Sequence, residues 1–281
     1  MPKSTDAKID SLLALSQAEF AAGSLDNAIK YAEEVRRIAE DRGDKSLEAL
    51  ALHRIAGAES ERGNNERADK LLTVVAERFR ADGAEEVLAG VWIDQGIVAK
   101  DLGRFDLAEQ LYSKAIEVSR KNGWKSVLVS AQANLAQLAR RRGQLDTAVT
   151  LLDDVVSYME ANEDWNSLGP MLNILMEVSI ETERYAKLLD VAQKLKAVAQ
   201  KTDNVYVLAA ATANMGYAYN NLHKFQEAKA AYQEALEYFM TVNDLRGVSN
   251  CYSGLASVAQ IIGTEEEMLT YLYLAQNPTS D

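Results

Sequence analysis

Asn134, Asn173 and Asn214 recur at a spacing of about 40 residues. An asparagine amide carries both a donor and an acceptor, so such a row can pair with the N–H and C=O groups of an extended peptide whatever its side chains. That is binding chemistry, and it supplies affinity more than specificity. Arg140, Arg141 and Arg142 form the one basic cluster. With Arg54 and Lys100 they would draw an acidic segment toward the chain. The competing reading is a solvated helix end, where cations favour the negative end of the helix dipole. Catalysis has no visible apparatus. His53 and His223 are the only histidines and Cys251 the only cysteine, too few for a cluster of metal ligands. No phosphate loop, dinucleotide turn, HExxH, CxxC or GxSxG occurs. Acidic pairs such as Asp153 and Asp154 read as surface charge. The sequence is therefore read as no enzyme, with no cofactor and no metal.

The composition narrows the partners. Against 30 Lys and Arg stand 42 Asp and Glu, a net charge of −12, which opposes phosphate backbones and anionic membrane surfaces. Nucleic acid and membrane are excluded as expected partners. No apolar run approaches the roughly 18 residues a membrane span needs. The uncharged stretch Val205 to Leu222 contains Thr212, Asn214, Asn220 and Asn221, costly in lipid, so it reads as a buried helix. A single cysteine and the lack of a signal-like N-terminus point to the cytoplasm.

The elements that would position these residues follow from an internal period. Gly23, Gly63, Gly103, Gly143 and Gly263 share a step of 40 residues, with Glu183 and His223 at the two missing positions. A second series with the same step runs Gly43, Gly83, Gly123, Glu163, Asp203, Asn243. Helices commonly stop in a left-handed residue, where Gly meets no side-chain penalty, so two stops per period predict two helices. Just after the first stop Asp26, Glu66, Asp106, Asp146, Gln226 and Glu266 suit the positive end of a new helix. Phe105, Ala108, Tyr112, Ala115 and Ile116 give the second helix a single apolar stripe. Small residues, Ser16, Ala56, Gly96, Ala136, Gly216 and Ala256, fall where the paired helices would cross.

In the stretches GRFDLAEQLYSKAI from Gly103 and NMGYAYNNLHKFQEAKAAYQEAL from Asn214, these residues resemble the tetratricopeptide repeat family. The usual unit is about 34 residues, and this chain is similar to the longer, 40-residue repeats of bacterial regulators and cell-polarity adaptors. The resemblance implies an all-α, right-handed superhelical solenoid of about seven antiparallel helix pairs. Repeats would start near 9, 49, 89, 129, 169, 209 and 249, with residues 1–8 a tail and 9–281 one continuous array.

In that architecture the first helices line a concave groove, the expected binding surface for an extended peptide or a partner's helix. The candidate contacts are Arg54, Lys100, Asn134, Gln137, Arg140, Arg141, Asn173, Asn214, Tyr217 and Asn220. Trp92 and Tyr219 fall on core slots. Chaperone-adaptor members of the family hold a terminal carboxylate with paired Lys and Asn. Here those slots hold Leu13 with Gln17, His53 with Gly57, and Ala133 with Gln137, so that partner is not expected. The alternative function is a ligand- or peptide-responsive sensor domain of a larger signalling or transcription protein.

Two places depart from the pattern. The fifth repeat has Met176 at the small slot, Leu188 where other repeats have Ala, and Glu183 for Gly, predicting a splayed helix pair. The last segment, with Met268, Leu269, Tyr271, Leu272, Tyr273 and Leu274, is apolar enough to call for a cover, either a further helix or, in a homodimer, the C-terminal helix of a second copy.

Overall fold

The protein is described from a computed structural model covering residues 3–278. The described residues form fourteen α-helices and no strand. Close contacts divide the chain into two compact units, Met1–Leu138 and Ala139–Asp281. The first holds α1 (Lys3–Ala21), α2 (Leu25–Arg42), α3 (Lys45–Glu61), α4 (Asn65–Ala81), α5 (Glu85–Asp101) and α6 (Phe105–Asn122). The helix α7 (Lys125–Arg141) runs across the division. The second holds α8 (Leu145–Ala161), α9 (Trp165–Glu181), α10 (Tyr185–Lys201), α11 (Val205–Asn221), α12 (Phe225–Thr241), α13 (Leu245–Ile262) and α14 (Glu265–Gln276). Within each unit every helix packs on the next in sequence. Residues 3–8, assigned to a tail from the repeat boundary, are the first turns of α1.

The helix stops lie where the period put them, with one exception. Seven glycines, from Gly23 to Gly143, have positive φ, and so do Glu163, Glu183, Asp203, His223 and Asn243, at φ between 51 and 59°. Gly263 instead takes an extended φ of −104°. The turn after it is set by a capping box, in which Thr264 Oγ1 accepts from the Glu267 N–H and the Glu267 carboxylate accepts from the Thr264 N–H. Asp44, Asp164, Asn204 and Asp244 cap other helices through their side chains. A left-handed backbone is strained for Glu, which lacks the local hydrogen-bonding that helps Asn and Asp. The double variant Glu163→Gly, Glu183→Gly is therefore expected to be more stable by about 1 kcal/mol, since relieved strain exceeds the added unfolded-state entropy. A urea midpoint at or below that of wild type would contradict this.

Paired helices approach closely because rings seat on glycines. A Cβ added at Gly96 on α5 would lie 2.5 Å from the Tyr112 ring of α6, and one at Gly216 on α11 would lie 2.8 Å from the Tyr232 ring of α12. Tyr232 is also pressed on from the other side, with a Cβ at Gly254 of α13 falling 2.4 Å from it. The phenol of Tyr112 is fully buried and its hydroxyl has no hydrogen-bond partner among the described residues, so burial pushes its pKa upward. Cys251 is likewise buried, and desolvation, with a smaller push from Asp244, raises its thiol to about 12. It is a packing residue rather than a nucleophile at neutral pH.

In the fifth repeat α9 packs on α10, and the departure lies between α9 and the first helix of the next repeat. No Cα of α9 comes within 8 Å of α11 among the described residues, whereas α1 and α3, α3 and α5, and α11 and α13 all approach that closely. Met176 and Leu188 are both buried there. Pro170 lies inside α9 and removes one N–H from its ladder.

Candidate binding surface

The odd-numbered helices of both compact units carry the candidate contacts. In the first unit, the Arg54 guanidinium on α3 donates to the Gln17 amide oxygen on α1. The neighbouring His53 Nε2 lies 2.6 Å from the Asp94 carboxylate on α5. These groups border a cleft of about 370 Å3. Lys100 is mostly buried, its ammonium 3.7 Å from the Asp101 carboxylate. Asn134 is half-buried and donates to the Ser130 carbonyl one turn back at 2.9 Å. Gln137 is half-buried.

In the second unit Arg140 is committed to α9. Its guanidinium contacts the carboxylates of both Glu177 and Glu181, the latter at 2.8 Å. A cation held by two carboxylates is a poor attractor for an acidic ligand, so the expected steering role does not attach to Arg140. Arg141 and Arg142 are exposed and each has interactions of its own. Asn173 is half-buried with no side-chain hydrogen bond among the described residues. Asn214 donates to the Ala210 carbonyl at 2.9 Å, the same back-bond as Asn134. Each of these two amides therefore spends one N–H on its own helix and keeps its carbonyl oxygen and second N–H for another partner. Asn220 donates to Ser257 Oγ on α13 at 3.2 Å, and its buried Oδ1 has no partner among the described residues. Tyr217 is 38% exposed and packs edge-on against Tyr185, ring centroids 6.0 Å apart.

Tyr185 was not among the candidates because its slot matches Phe105 and Phe225 and reads as core. In the sequence Gly57 reads only as a mismatch to the chaperone-adaptor slots. What distinguishes Gly57 is that its slot holds a side chain in every other repeat.

At the C-terminal end α14 docks on α13 through the stacked rings of Tyr252 and Tyr271 and a Ser249 hydroxyl donating to the Ala275 carbonyl at 2.6 Å. Leu269 and Tyr273 on α14 are 55% and 67% exposed. Among the described residues no helix is long and apolar enough to cross a membrane, and no cluster of His, Cys, Asp and Glu could hold a metal.

Antiparallel helix pairs repeating every 40 residues, with rings seated on glycines at the crossings, define a tetratricopeptide-like helical-repeat protein. Residues 104–248, just over half of the chain, match the family described as Cohesin loading factor, and the chain belongs to that family. It is also similar to the "Protein KINESIN LIGHT CHAIN-RELATED 1" of Arabidopsis thaliana, 26% identical over 200 residues, which are 68% of this chain and 32% of that protein. The chain thus spans about a third of that relative's length. Among solved structures, apo RapI superposes with a TM-score of 0.66 at 14% identity, covering 96% of both chains. A signal-transduction ATPase with a tetratricopeptide repeat sensor from Pyrococcus horikoshii matches at 0.64 and 15% identity, over 96% of this chain and 47% of that one.

Proposed function

We propose that the protein is an interaction scaffold that holds an extended peptide or a partner's helix on the face formed by its odd-numbered helices. The observation that carries this reading is the uncommitted hydrogen-bonding capacity of that face. In the first unit Asn134 keeps an acceptor and a donor; in the second Asn214 keeps the same, Asn173 keeps all of its own, and the half-exposed Tyr217 ring adds apolar area one turn along α11 from Asn214. An extended peptide needs such a row because its backbone groups must be satisfied when water is displaced. The relatives are named for other proteins, kinesin and cohesin, which agrees with a role in serving a partner. We read residues 9–281 as one continuous array, the protein as cytoplasmic, and the exposed Leu269, Leu272 and Tyr273 of α14 as a surface for a second copy of the chain.

The test is capture from native lysate by wild type and by the triple variant Asn134→Ala, Asn173→Ala, Asn214→Ala, read by mass spectrometry with helicity checked by circular dichroism. A protein retained by wild type is expected to fall at least about tenfold in the variant, the effect of losing several hydrogen bonds of about 1 kcal/mol each. Equal retention by a still-helical variant would assign the asparagines to helix packing alone.

The alternative, a sensor domain of a larger regulator, draws on the repeat sensor named in the Pyrococcus structure. A sensor changes conformation when its ligand binds. A small-angle scattering profile that changes on binding a captured partner favours it over a passive scaffold.

A further inference from the structure

The cleft between α1 and α3 is built differently from the rest of the odd-helix face. Gly57 lies in the middle of α3, where glycine costs about 0.5–1 kcal/mol relative to alanine. A Cβ added there would meet nothing within 4 Å. Unlike Gly96 and Gly216, it makes no room for a ring of its own protein, and no positive φ requires it. The same slot holds Gln17, Ile97, Gln137, Glu177, Tyr217 and Ser257 in the other repeats. The first repeat adds to the gap, since Ser16 and Ala28 are both small and Ser16 Oγ is spent on the Ala28 carbonyl at 2.9 Å. The result is a cleft of about 370 Å3 with Phe20 and Leu50 as apolar wall and Gln17, His53 and Arg54 at its polar edge.

The charges at this edge are unevenly matched. The Asp94 carboxylate lies within hydrogen-bonding distance of His53 Nε2, at 2.6 Å. Arg54 has only the neutral Gln17 amide and no carboxylate among the described residues, whereas Arg140 on the second unit's face has two. A guanidinium beside a neutral amide retains its full attraction for a carboxylate and can receive it through two parallel N–H groups.

We propose that this cleft receives an internal acidic side chain of an extended peptide on Arg54 while an adjacent aliphatic side chain enters the gap left by Gly57. The proposal rests on the scaffold reading and gives it a side-chain preference that the asparagine row cannot supply. It requires no terminal carboxylate.

The chain's two histidines make the test direct. In the full-length protein carrying 13C-labelled histidine, His53 reports on the cleft and His223, on the second unit, serves as control. The probes are the blocked peptide acetyl-Ala-Leu-Glu-Leu-Ala-amide, its Gln counterpart, and free 3-phenylpropionate as a small carboxylic acid. The Glu peptide is expected to shift the His53 signal and leave His223 in place, with the Gln peptide at least about tenfold weaker, the size of one charge-assisted hydrogen bond. Arg54→Gln should remove the preference for Glu over Gln. Gly57→Leu, which favours the helix and fills the gap, should abolish binding of both peptides. A silent His53, equal binding of the two peptides, undiminished binding by Gly57→Leu, or a response to phenylpropionate alone would each overturn the proposal. If the asparagine variant nonetheless loses its partner in the lysate experiment, the scaffold reading stands without this cleft.

Discussion

Gly254→Val is expected to destabilise the protein by about 3 kcal/mol or more, read as a lower urea midpoint. The reason is the position of one ring. Tyr232 of α12 is held between Gly216 of α11 and Gly254 of α13, and an added Cβ on either glycine would come well inside van der Waals distance, 2.8 Å on one side and 2.4 Å on the other. A side chain at Gly254 must push the ring toward Gly216, which has no room to yield. The interior is too densely packed for the strain to spread cheaply. Leu72 and Leu152 occupy the corresponding slot in other repeats, so Tyr232→Leu should be tolerated alone and should recover a large part of the Gly254→Val loss in the double variant. If Gly254→Val is neutral, or if the two losses simply add, the ring is not the element that fixes the spacing of α11, α12 and α13.

Much of this arrangement is legible from spacing because helix stops and helix crossings obey strict steric rules. A left-handed stop tolerates few residue types, and a close crossing tolerates few side-chain sizes. The two series of stops therefore mark the helix ends even where Glu163, Glu183 and His223 replace glycine. Gly263 departs because Thr264 and Glu267 supply a different way to turn the chain, a local signal that outweighs the period. Side-chain partnerships were far less legible. The residues immediately around Arg140 and Arg54 do not distinguish the first, held by Glu177 and Glu181, from the second, held by a neutral amide. The difference depends on what the next odd helix offers one period later. Gly57 does carry a signal in the sequence, since glycine inside a helix needs a reason and its slot is otherwise filled. Tyr185 had none, because an aromatic residue at the start of a second helix is ordinarily core.

The fifth repeat leads to the second large effect. The register that seats Tyr112 on Gly96 and Tyr232 on Gly216 places Ala192 opposite Met176, and both are buried. The large residue has moved from the second helix to the first, and the total volume at the crossing is roughly kept, which is how cores accommodate change at small cost. Met176→Gly alone should destabilise by about 3–5 kcal/mol through the cavity and the helical glycine. Ala192→Tyr alone should destabilise by about 2–3 kcal/mol through overpacking. Together they restore the Gly–Tyr pairing of the neighbouring repeats, so the double variant should be more stable than the sum of the two losses predicts by about 2 kcal/mol or more. Strictly additive urea midpoints would show that Met176 and Ala192 do not share one space. A recovered double variant also bears on binding, because α9 stands off from α11 beside Tyr217. If the displaced methionine creates that separation, restoring the usual pairing narrows the face at Tyr217, and partner capture should change even under conditions where the double variant remains fully folded.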